Sequence, residues 1–441
     1  MTVLTTGDAE STSPPARLSY DALAEKVVEG GILSDPWIDG EPRLRTEPVV
    51  IPRALQKRMY RAAEAVAEVY NELCLLVAER PAWLDDFFGL TPYQKAMWLV
   101  AQPLWHGMAR ADIFLTDEGL AFTEINSDTP TGEAEAVVLN QILKDEHPTL
   151  EDPNTHLADR FVSMVEALFL RTLPEGSPRT AAILYPTEFT EDLALVRLYR
   201  RWFEERGWDL VLGSPFNLTA GPDSTALLFD TPISVMLRHY KTDWWGERVS
   251  PWSDEEIPDV SPLAAPLGVA LGASLAGRLL IVNPFGAVLP QNKRSMAFMW
   301  EHIHRFSPAS QDVIRKYIPV TSRLETMHVE QLLAEKDEWV LKSDYGAEGD
   351  EVLLGRLVTP EIWKASLAQA RRGRWVVQRY FEARKEPRGG VVNYGVFLIA
   401  GEACGVYTRV QAGPTDDRAL SAPVFIESRE DPGAGAQNLP K

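Results

Sequence analysis

Arg110, Asp112, Glu124 and Asn126 stand in two alternating runs, Ala109 to Leu115 and Leu120 to Asn126, on either side of Asp117-Glu118-Gly119. That loop has the composition of a three-residue hairpin turn, with glycine where a left-handed residue is needed. Closure by Thr116 and Leu120 predicts a register with Phe114 opposite Phe122, Asp112 opposite Glu124 and Arg110 opposite Asn126. All six would lie on one face, unless a bulge slips the register by one residue. Two directly opposed carboxylates repel unless a cation sits between them. Carboxylate and amide oxygens are hard ligands and a guanidinium suits anionic oxygens, so this face reads as a Mg²⁺ site. The competing reading makes Asp112 and Glu124 solvated edge charges with Arg110 as their counterion. The next residues weigh against it, because Ser127 to Glu133 is a polar loop leading into an apolar helix, Ala134 to Leu143, and such strand-end loops are where sites are built.

Within that loop Thr129 and Thr131 offer hydroxyls that can orient a carboxylate, and Asp128 and Glu133 offer charge suited to an ammonium group. Glu133 has a second reading as the residue that caps the helix it opens.

The elements that must position these residues follow from patterning. The chain has 441 residues, 45% of them hydrophobic, enough for two or three domains or one body with an inserted module. A net charge of −19 and a pI near 4.9 argue against nucleic acid and anionic membrane as partners, so any phosphate site must be locally basic. Cys74 and Cys404 fit no metal or disulfide framework, which points to a reducing cytoplasm. Residues 1–18 and 429–441 read as flexible tails, the first without the pattern of a signal peptide. Leu263 to Val282 reads as a buried helix followed by a strand, and no membrane span is expected.

Pro52 opens a long amphipathic helix carried by Leu55, Met59, Ala62, Val66, Val69, Leu73 and Val77. Further helical patterns run from Pro92 to Ala101 and through Leu157, Phe161, Met164, Val165 and Leu168, so the hairpin supplies the only early strands. After Pro178 the order is strand (Ala181 to Tyr185), helix (Asp192 to Arg206), strand (Trp208 to Leu212), strand (Ala226 to Phe229). This suggests a small parallel α/β module that ends at Asn283-Pro284-Phe285-Gly286. Arg238 inside it reads as a surface charge. A third, α+β region starts near Gln291 with the helix of Met296, Met299, Trp300, Ile303 and Phe306. There Trp339 to Lys342 is a strand ending in lysine, followed by a glycine-containing loop, Ser343 to Val352, whose glycines would let backbone N–H groups approach a phosphate. A helix (Ile362 to Ala370), a strand (Trp375 to Gln378) and an antiparallel pair (Val391 to Ile399 and Ala403 to Val410) complete it. His302 and His304 do not share a helix face and have no third ligand nearby.

A lysine ahead of a helix, a strand-end lysine, a glycine loop, a strand ending in a hinge, and Arg-x-Asp followed by Glu-x-Asn together resemble an ATP-grasp nucleotide site. The metal half (Arg110, Asp112, Glu124, Asn126) comes first and the lysine half (Lys293, Lys342, Gly346, Gly349, Gln378) last. That order is similar to the circularly permuted ATP-grasp ligases of the glutathionylspermidine synthetase-like family, in which a small α/β module lies between the halves. Glu124-Ile125-Asn126-Ser127-Asp128-Thr129-Pro130-Thr131 is the most specific match, followed by Asn283-Pro284 with Asn292-Lys293. The resemblance runs from about residue 20 to residue 428.

It implies a mixed α+β and α/β chain with a permuted ATP-grasp fold. Residues 19–175 would hold a helical region and the metal half, residues 178–290 the inserted pre-ATP-grasp-like module, and residues 291–428 the lysine half. It also implies ATP and Mg²⁺. Lys293 and Lys342 would bind α- and β-phosphates, Gly346 to Gly349 would cover the transferred phosphate, Val377 to Tyr380 would meet adenine, and Asp112, Glu124 and Asn126 would hold the metal. In such ligases a substrate carboxylate takes the γ-phosphate and an amine displaces it, with Arg110 placed to stabilise the oxyanion. The implied partners are a small carboxylate, peptide or amino acid among the candidates, and a cationic amine. A phosphotransferase and a non-catalytic nucleotide-binding protein are the alternatives. The chain departs from the family in two ways: the acidic Glu348 and Asp350 stand in the phosphate loop, and the first hundred residues hold no cysteine–histidine arrangement of the kind found in the amidase domain some relatives carry.

Overall fold

Pro52 holds the N-cap position of a 27-residue helix, α1 (Arg53–Glu79), whose apolar residues recur every three or four positions and bury Met59, Val66, Leu73 and Val77. The computed structural model describes residues 18–187, 190, 192–247, 263–346, 352–371, 373–387, 389–413 and 418–428. The expected tails fall outside these apart from Leu18, and so do Glu348, Gly349 and Asp350 with the middle of the phosphate loop, residues 347–351. Among the described residues no helix is long and apolar enough to cross a membrane.

The hairpin forms as β1 (Met108–Leu115) and β2 (Leu120–Asn126), and α2 (Glu133–Leu143) and α3 (Leu157–Thr172) follow it. The module then runs β3 (Thr180–Leu184), α4 (Leu193–Glu204), β4 (Asp209–Gly213), β5 (Val235–Arg238), α5 (Thr242–Gly246) and β6 (Leu280–Val282). After α6 (Arg294–Glu301) come β7 (Thr321–Arg323), β8 (Trp339–Ser343), β9 (Val352–Leu354) and β10 (Trp375–Arg379). The last strands used below are β11 (Val391–Ile399), β12 (Glu402–Gln411) and β13 (Leu420–Ala422).

Three sheets position the site. The module sheet is parallel, in the order β6-β5-β3-β4, so its third and fourth strands are Val235–Arg238 and Leu280–Val282. The strand expected at Ala226 to Phe229 joins a separate antiparallel sheet with Leu218–Ala220 and Thr231–Ile233 instead. Its short alternating run pairs with its own neighbours, which cost the least loop closure. The lysine sheet is antiparallel, β7-β10-β8-β9.

The hairpin is completed from the far end of the chain into the sheet β13-β12-β11-β1-β2. On its back, Ala109, Ala111, Ile113 and Val396 pack against α1 in the largest core. Short strands at Trp37–Ile38, Glu41–Pro42 and Val49–Ile51 also precede the hairpin, so it is not the only early β structure; Val49–Ile51 pairs with Val424–Glu427 from the last described residues. A pairing made that far along the chain leaves no local signal.

Inside the hairpin the register at the chemical end is as expected: Arg110 opposes Asn126 and Asp112 opposes Glu124. A bulge between Asp112 and Ile113 leaves Thr123 without a cross-strand partner, so Phe114 opposes Ala121 rather than Phe122. One extra residue reverses which side chains share a face, and Phe122 is fully buried in the core with Ala109, Ala111 and Ile113, away from Asp112 and Glu124.

Candidate active site

The bulge is what leaves four polar side chains on the front of an apolar sheet. Arg110 donates from Nε to Asp112 Oδ1 at 2.7 Å and from Nη2 to Oδ2 at 3.0 Å, and from Nη1 to the carbonyl of Thr131 at 2.7 Å. Its aliphatic stem lies across β11 at Gly395, where a Cβ would stand 2.6 Å from Arg110 Cδ. Burial works against the guanidinium's charge, but the Asp112 carboxylate outweighs it and raises the pKa. Asp112 is 2% exposed and also accepts from Asn393 Nδ2 at 3.2 Å and Arg409 Nη2 at 3.3 Å. Asn393 and Arg409 are cross-strand partners on β11 and β12. The sequence reading missed both as site residues, although a polar residue inside each of two apolar strands was the signal available.

Glu124 faces the other half of the chain. Its Oε2 lies 3.4 Å from Lys293 Nζ, and its Oε1 accepts from Asn126 Nδ2 at 3.4 Å. Burial would raise this carboxyl, yet Lys293, Lys342, Arg110 and Arg409 together hold it down at about 2. Lys293 Nζ also donates to the Gly346 carbonyl at 2.5 Å. Lys342 Nζ donates to Gln378 Oε1 at 2.8 Å, and Gln378 Nε2 donates to Thr321 Oγ1 at 2.9 Å, so three adjacent strands of the lysine sheet, β8, β10 and β7, are tied by one chain of bonds. Burial lowers Lys342 to about 8, with Lys293 adding to the fall and Glu124 opposing it. The fold therefore brings Glu124, Lys293, Lys342, Gly346 and Gln378 into one network. Tyr380 lies outside it: its hydroxyl donates to Glu382 at 3.0 Å and its ring is covered by Arg356, 3.7 Å from the ring centre.

Beyond Asn126 the loop is pinned from the module side. Asp128 is 2% exposed and forms an ion pair with Arg238 at 2.5 Å, accepts the Thr242 backbone N–H at 2.6 Å, and accepts the Thr242 hydroxyl. Its carbonyl accepts from Asn283 Nδ2 at 3.1 Å, and the Ser127 and Asp128 N–H groups both donate to Gln291 Oε1. Two expectations are corrected here. Arg238 is a buried latch, 3% exposed, rather than a surface charge, and Asp128 is its counterion rather than a free acceptor for an ammonium group. A desolvated guanidinium needs a carboxylate, and β5 delivers the Arg238 side chain to this one.

Glu133 is fully buried at the start of α2. Its Oε1 accepts from Tyr199 at 3.2 Å while Oε2 has no partner. Burial pushes its carboxyl up to about 7, against the opposing pull of its own backbone N–H, Arg110, His239 and Tyr199. Tyr199 and Thr129 line a cavity of about 20 Å³ with His239, whose Nε2 is 2.9 Å from Asp192 Oδ1. A space of that size admits a water or a single ammonium group.

Among the described residues no cluster of three or more His, Cys, Asp or Glu is arranged around a metal position. The donors present for a cation are two carboxylates, Asp112 and Glu124, with the amides of Asn126 and Asn393. The Oδ1 of Asn393 is buried without a partner beside Asp112, a free hard acceptor of the kind Mg²⁺ takes. The donor set fits a divalent cation that keeps some of its water and shares phosphate oxygens.

Three kinds of comparison bear on this arrangement. The family described as glutathionylspermidine synthase preATP-grasp matches residues 53–427. No curated protein matches. Among solved structures, an apo glutathione synthetase-like effector from Globodera pallida shares 12% identity with a TM-score of 0.59, over 94% of this chain and 98% of that one. A candidate gamma-glutamylcysteine synthetase from Methylobacillus flagellatus shares 13% identity with a TM-score of 0.43, over 82% and 86% of the two chains. A RimK-domain ATP-grasp protein from Sphaerobacter thermophilus shares 17% identity with a TM-score of 0.30, over 55% and 89%. Only the first is similar enough in shape to support the fold.

Proposed function

The chain belongs to the glutathionylspermidine synthase pre-ATP-grasp family and has the ATP-grasp fold, which makes it in general terms an ATP-dependent ligase, and on that premise we propose that it joins a carboxylate to an amine through an acyl phosphate. The observation that carries the proposal is the meeting of Glu124 with Lys293 and Lys342 across two sheets. A carboxylate able to share a cation, placed against lysines able to hold phosphates, is the charge arrangement phosphoryl transfer needs. Asp112, Glu124 and Asn126, with Asn393 beside them, would hold Mg²⁺, which when bound would neutralise charge between the β- and γ-phosphates.

In the proposed reaction a carboxylate oxygen of the acid bonds to the γ-phosphorus as the bond to ADP breaks. The amine nitrogen then bonds to the acyl carbon, the ammonium proton leaves, and phosphate departs with the acyl oxygen. Arg110 has five N–H donors, three of them used in the close bonds to Asp112 and Thr131. In this reading the remaining donors, with Arg409, would serve the anionic oxygens of the reacting groups. Asp128 is withdrawn from the amine side by its pair with Arg238, which leaves the free Oε2 of Glu133 as acceptor for a terminal ammonium group and Thr129 and Thr131 to orient the acid. The preferred amine is then cationic. We also propose the division at residues 19–175, 178–290 and 291–428 as three units, with the strands after Val391 returning to the first.

Incubation of the protein with ATP, Mg²⁺ and panels of small acids and amines tests the reading. A ligase releases phosphate and forms amide when both partners are present. A phosphorylated acceptor that accumulates in the absence of any amine, and is unchanged by adding one, would replace the ligase by a phosphotransferase.

A further inference from the structure

The segment from Lys241 to Glu247 touches both halves of the nucleotide site and belongs to neither. At one end Thr242 donates two hydrogen bonds, from its backbone N–H and its hydroxyl, to the carboxylate of Asp128, two residues beyond Asn126. At the other end Glu247 accepts from Arg374. The same guanidinium forms an ion pair with Asp344, Nε to Oδ2 at 2.7 Å, and Asp344 stands between Lys342 and Gly346 with its carbonyl accepting the Lys293 backbone N–H at 2.8 Å. One short stretch of the module therefore reaches the exit of the metal strand and the root of the phosphate loop.

The stretch between these ends is stiff. Trp245 is fully buried among Met97, Tyr240 and Phe285. Gly246 approaches the helix Pro92–Ala101 so closely that a Cβ would meet Gln94 Cγ at 3.0 Å, and Gln94 Nε2 donates to Glu247 at 3.0 Å. Asp243 sits between the two ends: burial, and then the Asp128 charge with Asp344 adding to it, push its carboxyl up to about 7 against the pull of Lys241. A packed element with a polar anchor at each end transmits displacement rather than absorbing it.

We propose that Thr242 and Glu247 are positioning residues, and that residues 241–247 form a cross-brace through which the inserted module sets the distance between the metal-bearing strand and the lysine-bearing strand; the functional meaning of that distance rests on the nucleotide-site reading above. Two anchors in series make a distinctive demand. Breaking either one disconnects both ends, so the effects of breaking both do not add.

The test uses Thr242→Val, Glu247→Gln and the double variant of the full chain, with Thr242→Ser as the conservative control. Hydrogen exchange is followed at the amides of residues 126–129 and 342–346. Glu247→Gln is expected to speed exchange about tenfold at 126–129, far from the ion pair it breaks, and Thr242→Val to do the same at 342–346. The double variant should exchange no faster than the faster single at either place, and Thr242→Ser should exchange as the parent does. MgATP affinity by calorimetry should fall about tenfold in each single variant and by the same factor, not its square, in the double. Loosening confined to the contact removed, or losses that multiply in the double, overturns the brace. Cross-talk in exchange from a parent chain that does not bind MgATP would leave the brace supported and overturn the nucleotide-site reading alone.

Discussion

Lys293 Nζ lies 3.4 Å from Glu124 Oε2, and this contact joins the two halves of a site that the chain writes far apart. Two opposed carboxylates, Asp112 and Glu124, need positive charge. The protein supplies it from four side chains: Arg110 and Arg409 on Asp112, and Lys293 with Lys342 around Glu124. A nucleotide carrying Mg²⁺ would bring phosphates to the lysines and a cation to the carboxylates at once. The protein's internal pairs would then be exchanged for external ones of the same sign.

Glu124→Gln keeps the volume and removes the anion. ATP binding in the presence of a chelator should hold or tighten, because two lysines lose a competing carboxylate, while the affinity gained on adding Mg²⁺ should drop at least tenfold. Calorimetry with and without Mg²⁺ reads both, and an unchanged Mg²⁺ effect removes Glu124 from the metal.

Lys342, lowered to about 8 by burial, is charged at pH 7 and largely neutral at pH 9 in the empty site. Phosphates favour the charged form, so ATP binding near pH 9 should take up a proton and binding at pH 6.5 should not. Titrations in two buffers of different ionisation enthalpy count that proton. Lys342→Met should abolish the uptake and weaken ATP by about 1.5 to 3 kcal/mol, the range for a charge-assisted hydrogen bond.

Glu133 makes a prediction for stability. Its carboxyl titrates at about 7 in the fold, above its ordinary value of 4.5, so the folded chain holds a proton that the unfolded chain releases between those values. The stability this confers is complete below the unfolded value and is lost as pH rises through 7. The shift corresponds to roughly 3 kcal/mol. Glu133→Gln should flatten the fall in melting temperature between pH 5 and pH 8, though not abolish it, since Asp243 and Asp344 are also raised by burial. If Glu133 also receives the amine, the same variant raises the Michaelis constant for amine and leaves that for ATP alone; a change in the pH slope only would reduce Glu133 to a structural role.

Gly395 is the floor on which Arg110 lies. A methyl group there would stand 2.6 Å from Arg110 Cδ and 3.0 Å from Cγ, so Gly395→Ala must lift the arginine off Asp112. The middle of the side chain is blocked rather than its mobile end, so rotation of the guanidinium gives no relief. Turnover should fall at least tenfold with a thermal midpoint within a few degrees of the parent, and full activity in this variant would show that the bidentate pair is dispensable.

Sequence alone determined the features that depend on near neighbours. A hairpin around Asp117-Glu118-Gly119 and the helices Arg53–Glu79 and Pro92–Ala101 follow from periodicity and turn chemistry acting over a few residues. The turn, however, closes at Leu115 and Leu120 rather than at Thr116 and Leu120, and the bulge at Thr123 restores the expected facing of Asp112 with Glu124. The motif order placed Lys293 and Lys342 with the metal half because a spaced pattern of charged residues survives without any knowledge of contacts. Tertiary structure decided everything that rests on a side chain's distant partner. Whether Phe122 faced the site turned on one bulged residue, Thr123. Whether Asp128 was a free carboxylate turned on Arg238 arriving from β5, and whether Arg409 belonged to the site turned on β11 and β12 folding back beside the hairpin. A carboxylate written in a loop has the same letters whether it meets water, an ammonium group or a buried guanidinium. Only the packing that removes the water settles which charge it must answer.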